Sequence, residues 1–166
     1  MNYTIFHIGC LIYKDGDEVM RIGKDYIGVG CGAFILNENG ELLLQKRNKE
    51  PEKGWWSIPG GRVEMFDTFK STIKREVKEE TDLDIEIVKT IGICDHIVDM
   101  VEEEKVHWVS PNFLCRVVSG KAKIMEPTKH AEMGWFSLNE LPSMLTIPTK
   151  KALEDYEEND GEEEVL

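Results

Sequence analysis

Three glutamates in one segment, Glu76, Glu79 and Glu80, have the residue type and the spacing to bind a metal ion. In a helix, positions i, i+3 and i+4 point to the same side, at about 100° per residue. Between Glu76 and Glu86 there are six acidic residues and one lysine. Clustered carboxylates of this kind suit a hard divalent cation, Mg²⁺ in particular when phosphate oxygens complete its octahedral shell. The cluster alone leaves a solvated acidic helix face as the other interpretation.

Three glycines, Gly28, Gly30 and Gly32, alternate in the apolar run at residues 26–36. Alternation places all three on one face of a strand. Glycine on a strand face marks a close approach of a ligand or of another backbone, and close packing against a neighbouring helix is the alternative. The run is not followed by the loop and helix of a dinucleotide-binding or Walker motif.

The elements that must position these residues follow from the apolar periodicity. A stripe at i, i+4 and i+8 predicts a helix over residues 68–81, capped by Asp67 or Thr68. Pro111 implies that its strand lies at an edge or contains a bulge. The fold class is therefore α+β, with a mixed sheet between helices. Strands are predicted at residues 3–12, 26–36, 41–47, 55–58, 85–97, 106–118 and 135–136, and short helices at 138–141 and 149–156.

The spacing from Gly61 onward forms a longer pattern. Five residues separate Gly61 from Asp67, and seven more lead to Arg-Glu-Val-Lys-Glu-Glu-Thr-Asp-Leu at residues 75–83. This resembles the Nudix box, G-x5-E-x7-R-E-U-x-E-E-x-G-U with U aliphatic, and seven of nine defined positions agree over 23 residues. The resemblance, which runs from about residue 26 to residue 142, implies a Nudix-type α/β/α sandwich.

Two positions depart from the family pattern. Asp67 stands in place of a glutamate, so its carboxylate is one methylene shorter. Asp82 stands in place of a glycine. Because aspartate tolerates the left-handed conformation better than most residues do, we expect the helix end at Asp82 to be preserved.

The resemblance implies a role for each matching residue. The implied metal ligands are the Gly60 carbonyl, Glu76, Glu79, Glu80 and, in the outer shell, Asp67. The metal would be Mg²⁺, with Mn²⁺ as a possible substitute. Arg75 would orient Glu76 through charge-assisted hydrogen bonds. Water would attack a phosphorus, with Glu76, Glu79 or Glu132 as general base; a rim position or a contact to the base is the other interpretation of Glu132.

Basic and aromatic residues near the box are candidates for substrate contacts. We expect Arg47 and Arg62 to contact phosphates and Gly30 to lie at the pocket floor. A solvated surface charge is the other interpretation of Arg47. Four aromatic residues are candidates for stacking on a base, with core packing as the alternative for each: Trp55, Trp56, Phe66 and Trp135.

The segment after the box narrows the substrate class. ADP-ribose hydrolases of the family carry a proline there, and residues 97–100 contain none. Glu-Met-Gly-Trp-Phe at residues 132–136 is similar to the closing segment of MutT-like members. The resemblance thus favours hydrolysis of a nucleoside triphosphate to the monophosphate and pyrophosphate. The alternatives are a hydrolase of a nucleoside diphosphate sugar, a dinucleotide or a capped RNA end, and a Nudix-fold binding module of low activity.

The whole chain of 166 residues predicts one domain over residues 1–153, with an N-terminal strand extension over about residues 1–25. Residues 154–166 contain eight acidic residues and no basic one, and we expect a disordered tail there. Of the net charge of −12, residues 1–153 carry −4. An acidic body argues against a nucleic-acid polymer as partner, so the expected partner is a small nucleotide.

Location and assembly are inferred from absences and from cysteine usage. The chain has neither a bilayer-spanning apolar run nor the start of a signal peptide, which predicts a cytoplasmic protein without membrane contact. The four cysteines form no C-x-x-C pair and are predicted to be buried free thiols. A homodimer formed through strand edges remains open.

Overall fold

The computed structural model describes residues 20–50, 52–99 and 105–160. The predicted strand at 3–12 lies outside these ranges. The elements are β1 (Gly28–Leu36), β2 (Glu41–Arg47), β3 (Trp56–Ser57), β4 (Gly60–Arg62), α1 (Phe69–Thr81), β5 (Asp84–Asp99), β6 (Lys105–Ser119), β7 (His130–Ser137) and α2 (Ile147–Asp160).

The strands form one mixed sheet in the order β3-β2-β1-β6-β5, with β7 paired to β2 and β4 paired to β1. The β1–β6 pair is parallel, while every other strand pair in the described residues is antiparallel. This confirms the predicted mixed sheet.

The two helices cover opposite faces of the sheet. Consecutive residues of β1 face opposite cores. Ala33 packs with Ile73 and Val77 of α1, whereas Phe34 packs with Ala152 of α2. All five side chains are fully buried, at 0% exposure. Alternation along β1 therefore builds both layers, and the predicted sandwich is confirmed.

Helix α1 is capped at both ends by its own sequence. Thr68 accepts a hydrogen bond from the backbone N–H of Ser71, and the Ser71 hydroxyl accepts one from the backbone of Thr68. Asp82 adopts a φ of 60° and donates its N–H to the carbonyl of Lys78. Its carboxylate pairs with Lys78 and Lys123 at 3.1 and 2.9 Å. The aspartate thus preserves the helix end, as predicted.

Of the two alternatives predicted for Pro111, the edge strand is wrong, because β6 lies between β1 and β5, whereas the β5–β6 pair does contain register shifts typical of bulges. Strand β1 pairs with β6 at Val29 and again at Gly32. On its other edge, β1 pairs with β4, with Cys31 opposite Gly61. A proline has no N–H to donate, and Pro111 lies opposite the gap in the β1–β6 register.

Several predicted boundaries also differ. Pairing with β2 extends the strand predicted at 135–136 to His130–Ser137, and residues 60–62 form β4 rather than a break. Residues 138–141 form a turn instead of a helix. Among the described residues, no helix is long and apolar enough to cross a membrane.

The disordered-tail prediction requires correction for residues 154–160, which belong to α2. Tyr156 stacks on Phe34, with ring centroids 4.8 Å apart. The Asn159 amide donates to the Ile91 carbonyl at 2.8 Å. These contacts hold an acidic segment against the sheet, which its composition alone did not indicate.

The cysteine prediction is confirmed where it can be examined. Cys31, Cys94 and Cys115 are free and buried, and burial raises the pKa of each thiol, to about 12, 11 and 12 respectively. Cys10 lies outside the described residues.

Candidate active site

A cleft of about 610 Å³ is lined by β1, β6, residues 57–61 and both helices. Most of the predicted site residues line it: Gly30, Arg47, Gly60, Arg62, Arg75, Glu76, Glu79 and Glu80. Asp67 and Glu132 are not among the lining residues. The fold therefore brings the box helix, the glycine loop and the glycine strand to one place.

Glu80 is the most buried carboxylate of the predicted metal ligands, with 4% of the residue exposed. Its Oε2 accepts hydrogen bonds from the backbone N–H of Gly60 at 3.2 Å and from the Gln45 amide at 3.0 Å. Burial raises the pKa of Glu80 to about 7 against these two hydrogen bonds. His130 Nε2 lies 3.7 Å from Glu80 Oε1, but burial lowers the pKa of His130 to about 4, so the imidazole is neutral.

Arg75 connects three acidic side chains. Its Nη1 donates to Glu76 Oε1 at 2.7 Å and to Glu79 Oε2 at 3.2 Å. Its Nη2 is buried and lies 3.7 Å from Asp67 Oδ2, too far for a hydrogen bond. Burial raises the pKa of Glu76, while the nearby Arg75 opposes the rise. The structure thus places Arg75 against Glu76, where the resemblance implied it.

The glycine loop is shaped by close approach to its neighbours. A Cβ atom at Gly61 would overlap the carboxylate of Glu76, and one at Gly60 would overlap the carbonyl of Cys31. Only glycine lets the loop lie directly against both the helix carboxylate and strand β1. The backbone of residues 60–61 is therefore part of the acidic site.

The donor set fits a divalent cation, although the carboxylates do not yet converge. Within the described ranges, no three acidic, histidine or cysteine side chains meet at one point. The carboxylates stay apart because Arg75 donates hydrogen bonds to Glu76 and Glu79, whereas Gly60 and Gln45 donate to Glu80. A carboxylate buried without a hydrogen-bonded cation, as Glu80 is here, is stabilised by a bound cation. Oxygen donors alone match the preference of Mg²⁺.

Glu132 is a surface residue that pairs with a lysine. It lies on β7 and pairs with Lys46 at 2.8 Å, with 56% of its side chain exposed. Because it is absent from the cleft lining, the structure favours the rim interpretation. The predicted phosphate contacts Arg47 and Arg62 do line the cleft, together with Lys49 and Lys129, which the sequence did not single out.

None of the four aromatic residues predicted to stack on a base lines the cleft. Trp56 packs edge-on against Phe136 at 4.9 Å, and Phe66 is 99% exposed. The aromatic residue in the cleft is Trp108 on β6. Its indole explains part of the glycine stripe, since a Cβ at Gly28 would lie 2.6 Å from the ring. The glycines therefore make room for side chains of β6 rather than for a helix.

A signal for the missed residues exists in the sequence. Val106, Trp108, Ser110 and Asn112 alternate along β6, and all four line the cleft. Alternation predicts that they share a face. It does not predict that this face borders the cleft, because that depends on how the sheet packs with the helices and residues 57–61.

Comparison with known proteins agrees with this geometry. The NUDIX domain model matches residues 27–156. The chain is similar to an ADP-ribose pyrophosphatase of Methanocaldococcus jannaschii, with 33% identity over 74% of this chain and 69% of that protein. It is also similar to a putative 8-oxo-dGTP diphosphatase of Bacillus subtilis, with 28% identity over 76% of this chain and 78% of that protein.

A solved structure, the MutT NUDIX hydrolase from Burkholderia pseudomallei, superimposes with a TM-score of 0.71 at 39% identity and covers 78% of this chain and 97% of that one. Four other relatives are longer, and the chain spans 23% to 37% of their length.

Proposed function

Since this chain belongs to the Nudix family, we propose that it hydrolyses a nucleoside triphosphate to the monophosphate and pyrophosphate with the help of a divalent cation. The family resemblance in the sequence is thereby confirmed. Membership gives the reaction class, hydrolysis of a phosphoanhydride bond, and the proposal concerns the substrate. One observation carries the proposal. The glutamates of α1 and the Gly60–Gly61 backbone line the same cleft, and basic side chains line it as well.

The cation would be Mg²⁺ or Mn²⁺, held by Glu76, Glu79, Glu80 and the Gly60 carbonyl. When bound, such an ion polarises the phosphate and lowers the pKa of water. Family use of a divalent metal is general, and the choice of Mg²⁺ rests on the all-oxygen donor set. Asp67 keeps an outer position, where it faces the guanidinium of Arg75.

The candidates for the general base are Glu76 and Glu79. Arg75 hydrogen-bonds both carboxylates, and both line the cleft. A carboxylate oxygen left free by the cation would take a proton from water as the water oxygen bonds to phosphorus. The phosphoanhydride bond then breaks, and its electron pair leaves with the departing phosphate oxygen.

The basic side chains have a separate task. Arg47, Arg62, Lys49 and Lys129 line the cleft, and cations of this kind stabilise charge on phosphate oxygens as the bond breaks. Lys129 also pairs with Glu126 at 2.7 Å, which holds its ammonium group near the acidic site.

Two relatives support different substrates. The Bacillus subtilis relative, named a putative 8-oxo-dGTP diphosphatase, supports a triphosphate. The Methanocaldococcus jannaschii relative, named an ADP-ribose pyrophosphatase, supports a nucleoside diphosphate linked to a sugar as the second candidate. Since the three glutamates of the box are present, we regard a binding module without activity as the weaker alternative.

Product analysis tests the proposal. The protein is incubated with Mg²⁺ and a panel of canonical and 8-oxo nucleoside triphosphates, and pyrophosphate and orthophosphate are measured separately. ADP-ribose is tested by release of AMP and ribose 5-phosphate. We expect pyrophosphate from at least one triphosphate. Turnover of ADP-ribose alone would support the second candidate, and silence across the panel would refute hydrolysis.

A pair of variants assigns the activity to the acidic face. Glu79→Gln removes one carboxylate from the cleft and should reduce turnover by about 100-fold or more. Glu86→Gln is the matched control, because Glu86 of β5 pairs with Arg116 of β6 and does not line the cleft. Full activity in Glu79→Gln would show that the metal assignment is wrong.

A further inference from the structure

Asn112 is a buried side-chain amide without a hydrogen-bond partner among the described residues. The residue is 0% exposed, and neither its Nδ2 nor its Oδ1 forms a hydrogen bond. An unsatisfied buried polar group costs about 1–3 kcal/mol. The amide nevertheless lines the cleft, at the point where β1 and β6 resume pairing through Gly32.

Other orphaned atoms in the cleft have a different setting. Those of Arg75 and His130 belong to side chains that touch the acidic cluster. The hydroxyl of Thr149, near the start of α2, is already used, since it accepts from the N–H of Ile58 at 3.0 Å and pairs with Thr146 at 2.9 Å. Asn112 therefore holds one free donor and one free acceptor that no side chain of the acidic cluster uses.

Asn112 lies one strand away from the Gly60 backbone. Gly32 of β1 is flanked by Gly60 of β4 on one side and by Asn112 of β6 on the other. A Cβ at Gly32 would lie 2.5 Å from Asn112 Oδ1, so the amide lies over Gly32. A nucleotide that binds at Gly60 therefore has Asn112 within reach.

The same face of β6 offers a surface on which a ring can stack. Trp108 precedes Asn112 by four residues on β6, so the two side chains share a strand face. Both residues line the cleft. The indole is supported from the backbone, since a Cβ at Gly23 or Gly28 would lie within 2.6 Å of it. Val98 and Val106 add apolar lining at this end. An aromatic platform beside a paired donor and acceptor is suited to a heterocyclic base.

We propose that Asn112 is a specificity-determining residue that pairs with an edge of the substrate's nucleobase presenting one donor and one acceptor side by side. An amide makes such two-point contacts with base edges, which discriminate by about 1–3 kcal/mol. This inference rests on the proposed function only in taking the ligand to be a nucleotide.

Nuclear magnetic resonance on the full chain with Mg²⁺ tests the contact directly. The side-chain amide resonances of Asn112 are followed during titration with AMP and GMP. Each is compared with an analogue, purine riboside 5′-monophosphate, whose base has ring-nitrogen acceptors but no donor and therefore lacks the paired edge. We expect the Asn112 resonances to shift with AMP or GMP, and that nucleotide to bind about 10- to 100-fold more tightly than its analogue.

A matched pair of variants separates recognition from folding. Asn112→Leu replaces the amide with an apolar side chain of similar size and should abolish the preference over the analogue without lowering the unfolding midpoint. Thr72→Val is the control, since Thr72 is also fully buried with an orphaned hydroxyl but lies outside the cleft. It should keep the preference. The resonance test uses the unaltered protein and does not depend on how either variant folds.

The outcomes distinguish this inference from the proposed function. Shifted Asn112 resonances without hydrolysis of any triphosphate would support the inference and refute the function. Hydrolysis with unshifted resonances, or an unchanged preference in Asn112→Leu, would overturn the inference alone. An equal loss of affinity for nucleotide and analogue in that variant would indicate a contact to the ribose, and would overturn it too.

Discussion

The carboxylate of Asp67 stops short of hydrogen-bonding distance from Arg75, at 3.7 Å. A glutamate, one methylene longer, would reach the buried Nη2, which has no hydrogen bond in the described residues. We expect Asp67→Glu to fix the guanidinium and to raise kcat by about 3- to 10-fold, as expected for better orientation of Glu76. Steady-state kinetics on the preferred nucleotide measures this.

The control for Asp67→Glu is Asp84→Glu, which lengthens a carboxylate on β5 that pairs with Lys78 outside the cleft. It should leave kcat unchanged. If Asp67→Glu lowers kcat while Asp84→Glu does not, the shorter side chain is the one that the site requires.

Glu80 links the stability of the metal-free protein to pH. In the folded protein its pKa is about 7, whereas its ordinary value is 4.5. Between these values the folded state binds more protons than the unfolded state, so the contribution of Glu80 to stability falls as the pH rises from 4.5 to 7. At about 1.4 kcal/mol per pKa unit, the loss is roughly 3 kcal/mol above pH 7.

Urea unfolding in a chelator, at several pH values between 4.5 and 8, measures this effect. We expect the free energy of unfolding of Glu80→Gln to rise relative to the unaltered protein as the pH increases. His130, whose pKa is lowered to about 4, gives the opposite slope below pH 6.5, but it does so in both proteins and cancels in the difference. Parallel curves for the two proteins would contradict the prediction.

At the scale of single residues, spacing predicted the box glutamates, Arg75 and the glycine loop, and all of them line the cleft. Glu132 and the four candidate stacking residues do not line the cleft. Their environment depends on which strand face borders the cleft, and no local spacing contains that information. Asn112 was missed for the same reason, since an asparagine within a strand carries no signal until its neighbours are known.

Among the elements, helix α1 depends on an aspartate in the left-handed conformation, Asp82 at a φ of 60°. Asp82→Gly and Asp82→Ala both remove the ion pairs with Lys78 and Lys123, but only alanine pays the steric cost of that conformation. We therefore expect Asp82→Ala to be less stable than Asp82→Gly by about 1 kcal/mol, measured as the difference in free energy of unfolding by urea. Equal stabilities would show that the helix end rearranges.

Strands were predicted well where apolar residues alternate clearly, and poorly where pairing with another strand determines where the strand begins and ends. Runs such as residues 26–36 and 41–47 needed only period-two patterns. Strand β4 has three residues and exists because it pairs with β1 at Gly30–Gly32, a long-range contact. Pro111 was interpreted as a sign of an edge strand or a bulge, and β6 is an interior strand whose pair with β5 contains register shifts. The choice between these alternatives depends on the neighbouring strands, which the local sequence does not specify.

For the molecule as a whole, the net charge and the charges that line the cleft act on a substrate over different distances. The chain carries −12, whereas the cleft is lined by five basic and five acidic side chains. A divalent cation held by the glutamates would make the cleft locally positive, so a phosphate substrate would meet local attraction within an acidic surface. Salt screens the longer-range repulsion more strongly than the close contacts. This distribution is consistent with a small nucleotide as substrate and disfavours a polymer.

The last residue that belongs to the folded domain depends on the whole molecule, and truncation of the chain can test where it lies. Composition predicted a tail from residue 154, but Tyr156 and Asn159 contact Phe34 and Ile91 on the sheet. Ending the chain after Leu153 removes these contacts, and we expect a loss of about 2–4 kcal/mol in the free energy of unfolding.

Ending the chain after Asp160 is the matched control, because it removes acidic residues while keeping every contact of α2 described above. We expect it to change the free energy of unfolding by less than about 0.5 kcal/mol. Urea unfolding of both truncated chains beside the full chain gives the comparison. If the chain that ends at Leu153 were as stable as the one that ends at Asp160, the contacts of Tyr156 and Asn159 would contribute nothing, and the composition-based boundary would be restored.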